Sequence, residues 1–86
     1  MPEICRFYGI IIRMFWEDYP LPHFHAIYGE HEAIIDILSS EIIQGRLPLR
    51  AHSLVREWVN LHSEELLELW AAAQRSQPLS KIDPLP

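Results

Sequence analysis

The chain divides into two parts that differ in the spacing of their apolar residues. Up to about residue 44, β-branched and aromatic residues occur in runs or alternate with polar residues, which is typical of strands. Between residues 48 and 77, apolar residues recur at intervals of three and four, the spacing that gives a helix one apolar face. This change of period predicts an α+β domain in which strands come first and helices follow.

Strands are predicted throughout the first part. Residues 4–16 form an apolar run without helical spacing, and we interpret them as one long strand in which Gly9 marks a bend. Two prolines interrupt the segment from Glu17 to Pro22, which is therefore predicted to be a loop. The whole part is predicted to be an antiparallel β-meander of three to four strands, whose further strands cover residues 23–28, 31–38 and 41–44.

A Gly-Glu pair at residues 29–30 joins two of these predicted strands, and glycine in the first turn position favours a two-residue type II′ turn. Such a turn places His25 opposite Ile34 and His23 opposite Asp36. A four-residue loop would place His25 opposite Asp36 instead. Either register leaves both histidines and the aspartate on one face of the sheet, because side chains alternate between the faces.

Two α-helices and an extended tail are predicted in the second part. The first helix covers residues 48–61 and has a proline in its first turn. Ser63 has the hydroxyl of an N-cap and is followed by two glutamates, so a second helix is predicted at residues 63–77. Residues 78–86 form a tail whose apolar side chains fit a groove. With both helices packed on one face of the sheet, residues 1–86 are expected to form a single domain.

The composition indicates a small acidic protein. The 86 residues include 12 Asp and Glu against 7 Lys and Arg, which gives a formal net charge of −5. Binding of nucleic acid by general electrostatic attraction needs clustered basic residues and is disfavoured, although a local basic patch is not excluded. The single cysteine excludes an internal disulfide, and no leader pattern or membrane-spanning apolar run is seen. A cytoplasmic protein without a membrane anchor is therefore expected.

The aromatic content suggests that the protein has a partner. The chain contains three Trp, three Tyr and three Phe. A domain of this size buries only about 60% of the surface of its unfolded chain. Some of the aromatic area is therefore expected to be covered by another protein, either a second copy in a homodimer or a cognate small protein encoded nearby.

Several motifs in a fixed order resemble a known family. They are Arg-Phe-Tyr-Gly-Ile-Ile-Ile-Arg-Met, Pro-His-Phe-His-Ala-Ile-Tyr-Gly, Leu-Pro-Leu-Arg and Glu-Trp-Val-Asn-Leu-His-Ser-Glu-Glu-Leu-Leu. The chain resembles the domain of unknown function family 4160 (DUF4160) over nearly its whole length. The resemblance implies a short single-domain prokaryotic protein, often encoded beside another small domain in arrangements that look like toxin–antitoxin pairs. It implies no catalytic residue, because the family has no settled activity.

The face with the histidines is open to three interpretations. In the first, His23, His25 and Asp36 bind a divalent metal such as zinc, iron or manganese and leave one position free for hydrolysis. In the second, the histidines cleave RNA without a metal, and Arg13 or Tyr28 stabilises the charge of the phosphorane. In the third, the histidines are structural and fix the proline-containing loop onto the sheet.

The sequence therefore favours an interaction subunit of a toxin–antitoxin-like module, with no cofactor predicted. The alternative is a ribonuclease or a metal-dependent hydrolase with His23, His25 and Asp36 as its catalytic or metal-binding residues.

Arg6 and Arg13 lie within the apolar run of residues 4–16. Arginines in such surroundings usually have a carboxylate or backbone partner, so we expect one for each of them.

Overall fold

The computed structural model describes residues 2–16 and 21–86. Within them, five strands precede one helix: β1 (Glu3–Phe7), β2 (Ile10–Arg13), β3 (His23–Tyr28), β4 (His31–Asp36), β5 (Ile42–Gly45) and α1 (Leu49–Gln74). The strands form one sheet in the order β1-β2-β3-β4-β5, and each strand is antiparallel to the next. The α+β class and the antiparallel meander are confirmed.

The prediction of a single strand over residues 4–16 is wrong. The chain turns back at Tyr8 and Gly9, whose φ angles are 49° and 81°, and Phe7 pairs with Ile10. Two consecutive residues with positive φ are typical of a type I′ turn, whose twist matches that of the flanking strands. The apolar run therefore makes a hairpin of two strands, and the sheet has five strands instead of the predicted three to four.

The predicted loop from Glu17 to Pro22 begins with residues that lie outside the described part of the chain. Its last two residues, Leu21 and Pro22, are described and lead directly into β3. The carbonyl oxygen of Pro22 accepts a hydrogen bond from the backbone N–H of Ile37 at 3.1 Å. This end of the segment is thereby fixed to the residue that follows β4.

The β3–β4 hairpin has the predicted register. His25 pairs with Ile34, and His23 pairs with Asp36. Gly29, the first turn residue, has a φ of 58°, whereas the second turn residue has no positive φ. This combination is typical of the type II′ turn that the Gly-Glu pair predicts. The alternative of a four-residue loop is therefore excluded.

Two separate helices are predicted, whereas the structure has one helical element, α1, with a kink at the predicted boundary. The kink is at His62, which has non-helical φ and ψ angles of −126° and 22° and separates the two predicted helices. Nδ1 of His62 lies 2.7 Å from Oε1 of Glu65 and donates a hydrogen bond to it. Trp58 before the kink and Leu66 after it are both fully buried, so both halves of α1 pack against the same hydrophobic core. No helix in the described residues is long and apolar enough to span a bilayer.

The core lies between α1 and one face of the sheet. The ring of Trp58 lies 5.4 Å from that of Phe7 and 5.7 Å from that of Phe24, measured between centroids. Along β3, Phe24 is fully buried, whereas His25 and Ile27 are half-buried. Because neighbouring side chains on a strand point to opposite faces, this alternation identifies the face that α1 covers.

The C-terminal tail completes this core beside β1. The backbone N–H of Ile82 donates to the carbonyl oxygen of Ile4 at 2.9 Å. The indole Nε1–H of Trp58 donates to the carbonyl oxygen of Asp83 at 2.8 Å. Ile82 and Leu85 are buried among the core residues. The tail therefore lies in an apolar groove that its own side chains fill.

Gly45 ends β5 in a position that other residues do not fit. Its φ is +80°, a conformation that L side chains rarely adopt. A Cβ atom at this position would also collide with the carbonyl oxygen of Glu32 in β4. The close approach of β5 to β4 therefore requires glycine here.

Candidate functional site

The face of the sheet opposite α1 carries the candidate site. Apart from the buried His23, its side chains are half-buried or exposed, whereas most of those that point toward α1 are buried. Residues that pair across strands share a face, so the register identifies its members. This surface is named the outer face, and the name is used for its half-buried and exposed members on the three middle strands: Ile11, Arg13, His25, Ile27, Glu32, Ile34 and Asp36. It combines three isoleucines with one arginine, one histidine and two carboxylates.

The structure brings His23 and His25 together but gives them different surroundings. Their ring centroids lie 5.5 Å apart. His23 is buried, and its Nδ1 lies 2.6 Å from the carbonyl oxygen of Leu21; since a carbonyl oxygen can only accept, Nδ1 donates. The ring of His23 also lies 5.0 Å from that of Trp70 in α1, measured between centroids. These contacts fix His23 between the residues before β3 and the helix.

His25 is the more accessible of the two histidines. Its Nδ1 lies 3.3 Å from Oε2 of Glu32. Phe15 packs edge-on against the imidazole, with 4.6 Å between the ring centroids. His25 also borders a shallow depression of about 280 Å³ that extends to Gln44 on β5. Glu32 and Phe15 thus orient an imidazole that a ligand or partner can reach.

Asp36 lies opposite His23 but stabilises the turn after β4. Its Oδ1 accepts a hydrogen bond from the backbone N–H of Leu38 at 2.9 Å. Side chains of this type commonly bond to the backbone two residues on in turns. In the described parts of the chain, no three His, Cys, Asp or Glu side chains form a group that could hold a metal ion. Because residues 17–20 lie outside those parts, a metal or catalytic site of His23, His25 and Asp36 stays a prediction.

The described residues provide no hydrogen-bond partner for Nε of Arg13, although an arginine in an apolar run is expected to have one. It pairs with His25 of β3 on one side and with Glu3 of β1 on the other. The Glu3 carboxylate is held by Arg6, at 2.7 Å from Nη2 and 3.1 Å from Nε, and this contact lowers the pKa of Glu3. Nε of Arg13 is buried and has no hydrogen-bond partner among the described residues. The expected partner is confirmed for Arg6 only.

Of the two residues considered for charge stabilisation, only Arg13 shares a face with His25. Tyr28 follows Phe24 by four positions along β3, so it belongs to the opposite face of the sheet. Arg13 is directly across the strand from His25. A charge that develops beside the imidazole would therefore be stabilised by the guanidinium and not by the phenol.

Sequence reasoning did not assign Glu32 and Phe15 to the site. For Glu32 a signal exists, because the predicted register places it opposite Ile27 and hence diagonal to His25. Phe15 is different, since its position depends on how β2 pairs with β3. No turn motif fixes that pairing across residues 14–22.

Comparisons with known proteins identify the family. No curated protein and no solved structure matches the chain. The sequence profile of a domain of unknown function, DUF4160, matches residues 9–71. This segment covers more than half of the 86 residues and contains the complete outer face. The chain therefore belongs to the DUF4160 family.

Proposed function

We propose that the chain is a cytoplasmic protein–protein interaction subunit that binds its partner through the outer face. One observation carries this proposal: α1 and the tail cover one face of the sheet, while Ile11, Ile27 and Ile34 are incompletely buried on the other. Apolar side chains grouped on an open surface commonly mark interaction sites. Contact with a partner would remove their remaining apolar area from water.

The charged residues of the outer face would provide specificity. Protein interfaces combine an apolar centre with polar groups that a partner must match, and arginine is enriched among the residues that dominate binding. Within residues 2–16 and 21–86, Nε of Arg13 has no acceptor. The exposed carboxylate of Glu32 contacts the half-buried His25. A partner that offers carboxylates to the guanidinium of Arg13 and hydrogen-bond donors to the carboxylate of Glu32 would match both charges.

The family suggests what kind of module the protein belongs to. The DUF4160 resemblance implies a gene beside another small domain, in arrangements that look like toxin–antitoxin pairs. We propose that this chain forms one half of such a module. Its partner is then the small protein encoded nearby or a second copy of the chain, and the interaction needs no cofactor.

The substitution Ile27→Asp is expected to abolish partner binding while the protein stays folded. Ile27 is half-buried on the central strand, so a carboxylate keeps much of its water in the free protein and loses it in a complex. We expect affinity for the neighbouring gene product to fall by about 2 kcal/mol or more, roughly 30-fold. Calorimetric titration of the two purified proteins measures the change.

Leu49→Asp provides the matched control. Leu49 is an exposed leucine at the start of α1, away from the outer face. Loss of binding with Ile27→Asp but not with Leu49→Asp supports the proposal. If both folded variants bind as the original protein does, or if the original protein binds neither the neighbouring gene product nor itself, the proposal fails.

A histidine-dependent ribonuclease is the second candidate, and the position of Arg13 favours it. Arg13 on β2 pairs with His25 on β3, so both side chains belong to the same face, and Glu32 orients the ring of His25. One imidazole would take the 2′-hydroxyl proton as the 2′ oxygen attacks phosphorus. The other would protonate the leaving 5′ oxygen as its bond to phosphorus breaks. A guanidinium beside them would stabilise the negative charge of the phosphorane.

If this candidate is correct, His25→Ala lowers the cleavage of single-stranded RNA by about 10²-fold or more. His31→Ala is the control, because His31 is an exposed histidine at the start of β4. The assay is run with and without a chelator, since only a metal-dependent hydrolase loses activity with it. A purified protein that leaves RNA intact in both conditions, or a His25→Ala variant with full activity, excludes this candidate.

A further inference from the structure

We infer that the occupant of the outer face is a second copy of the chain, stacked face to face about a two-fold axis parallel to β3. This inference rests on the proposed function, because it names the partner of the same surface. It follows from how the charges of the outer face are distributed over the strands.

The outer face has a cationic side and an acidic side. Arg13 lies on β2, on one side of the central strand β3. Glu32 and Asp36 lie on β4, on the other side. Each side also carries one isoleucine, Ile11 on β2 and Ile34 on β4. Next to β2, Glu3 and Arg6 on β1 form an ion pair with no net charge. The two sides therefore carry one isoleucine each and opposite net charges.

A two-fold axis along β3 brings these opposite charges together. The rotation lays β2 of each copy over β4 of the facing copy. Arg13 is at the level of His25, which pairs with Ile34. Glu32 and Asp36 flank Ile34 at a distance of two residues along β4. In this arrangement, Arg13 of each copy lies between Glu32 and Asp36 of the facing copy.

The other face-to-face arrangement does not have this property. A two-fold axis perpendicular to the strands lays β2 on β2 and β4 on β4. The acidic side chains of the two copies then face each other, and Arg13 meets no carboxylate from β4. Like charges in contact oppose association. The charge distribution thus selects the axis parallel to β3.

A second copy would supply Arg13 with a hydrogen-bond acceptor. Its Nε is buried without an acceptor in the part of the chain that the structure describes, and the Glu3 carboxylate across from it on β1 is held by Arg6. A buried donor without an acceptor destabilises the folded chain. A carboxylate of the facing copy would accept from the guanidinium in a charge-assisted hydrogen bond. By symmetry the same contact forms twice in each dimer.

An exchange of charges tests this arrangement. The original protein is expected to sediment as a dimer at micromolar concentration. Arg13→Glu, and separately the double variant Glu32→Lys with Asp36→Lys, are each expected to sediment as monomers because like charges meet at both contacts. An equimolar mixture of the two variants is expected to restore the dimer, since opposite charges then meet at both contacts. Sedimentation velocity measures the mass of each sample.

Two further variants are controls: one tests whether the dimer is lost without a reversal of charge, and the other whether any change of net charge has the same effect. Arg13→Gln keeps most of the side-chain shape and is expected to weaken the dimer by about 10-fold or more. Arg56→Glu changes an exposed arginine of α1 by the same charge and is expected to leave the dimer intact. Circular dichroism establishes that each variant is folded before its mass is measured.

The outcomes separate this inference from the proposed function. A monomeric original protein, a dimer that persists in both charge variants, or a mixture that stays monomeric overturns the inference. If the original protein is monomeric and Ile27→Asp still abolishes binding of the neighbouring gene product, the outer face is an interface for a different protein. If the original protein neither dimerises nor binds that product, both proposals are wrong.

Discussion

Replacing Trp58 with alanine is expected to remove about 3–5 kcal/mol from the free energy of unfolding. The indole is fully buried and packs against Phe7 and Phe24, so it joins the helix to two strands of the sheet. A domain of this size has a total stability of about 4–13 kcal/mol. The variant is therefore expected to be partly unfolded in buffer. Urea denaturation followed by circular dichroism measures the loss.

Trp58→Phe separates the two contributions of the indole. Phenylalanine keeps an aromatic ring near Phe7 but has no N–H to donate to the carbonyl oxygen of Asp83. We expect a smaller loss, about 1–3 kcal/mol, from the missing hydrogen bond and the lost volume. A Trp58→Ala variant that unfolds at the same urea concentration as the original protein would show that the core is organised differently.

Ending the chain after Pro78 is expected to destabilise the domain by about 3–6 kcal/mol. The removed residues include Ile82 and Leu85, which are buried in the core, and each buried side chain of this size contributes about 1.5–3 kcal/mol. Truncation also leaves the carbonyl oxygen of Ile4 without its partner on the tail. Thermal unfolding followed by circular dichroism is the measurement, and we expect a clearly lower midpoint.

The control for the truncation is Lys81→Ala in the full-length chain. Lys81 is an exposed residue of the same tail, so its substitution is expected to change stability by no more than about 0.5 kcal/mol. The double variant Ile82→Ala and Leu85→Ala is expected to reproduce most of the truncation effect. A truncated protein with an unchanged midpoint would mean that the tail contributes nothing to the core.

The elements with strong local signals could be predicted from the sequence. Gly29 and the alternation on either side of it give the β3–β4 register, and this register defines which side chains share the outer face. The first hairpin could not be predicted in the same way. Tyr8 has a positive φ, which is uncommon for a bulky aromatic residue, so the apolar run contains no recognisable turn.

The candidate site could be predicted only in part, for a physical reason. Alternation along β3 assigns His23 and His25 to the same face, yet His23 is buried because Trp70 of α1 packs against it. That contact depends on the path of the helix after its kink. The neighbourhood of Arg13 depends on strands that are distant in sequence. Contacts between separate helices and strands depend on tertiary packing, and the pattern of apolar and polar residues within one element does not predict them.

The tail has a consequence for how this protein can assemble. The two outermost strands of a sheet present unpaired backbone groups, onto which further strands can add. On β1 the carbonyl oxygen of Ile4 is already occupied by Ile82, whereas β5 forms the opposite edge of the sheet. Continuous growth into a fibril requires two edges that accept strands. A further strand could add to β1 at Ile4 only after this hydrogen bond to Ile82 is broken, so the tail competes with edge-to-edge growth at β1.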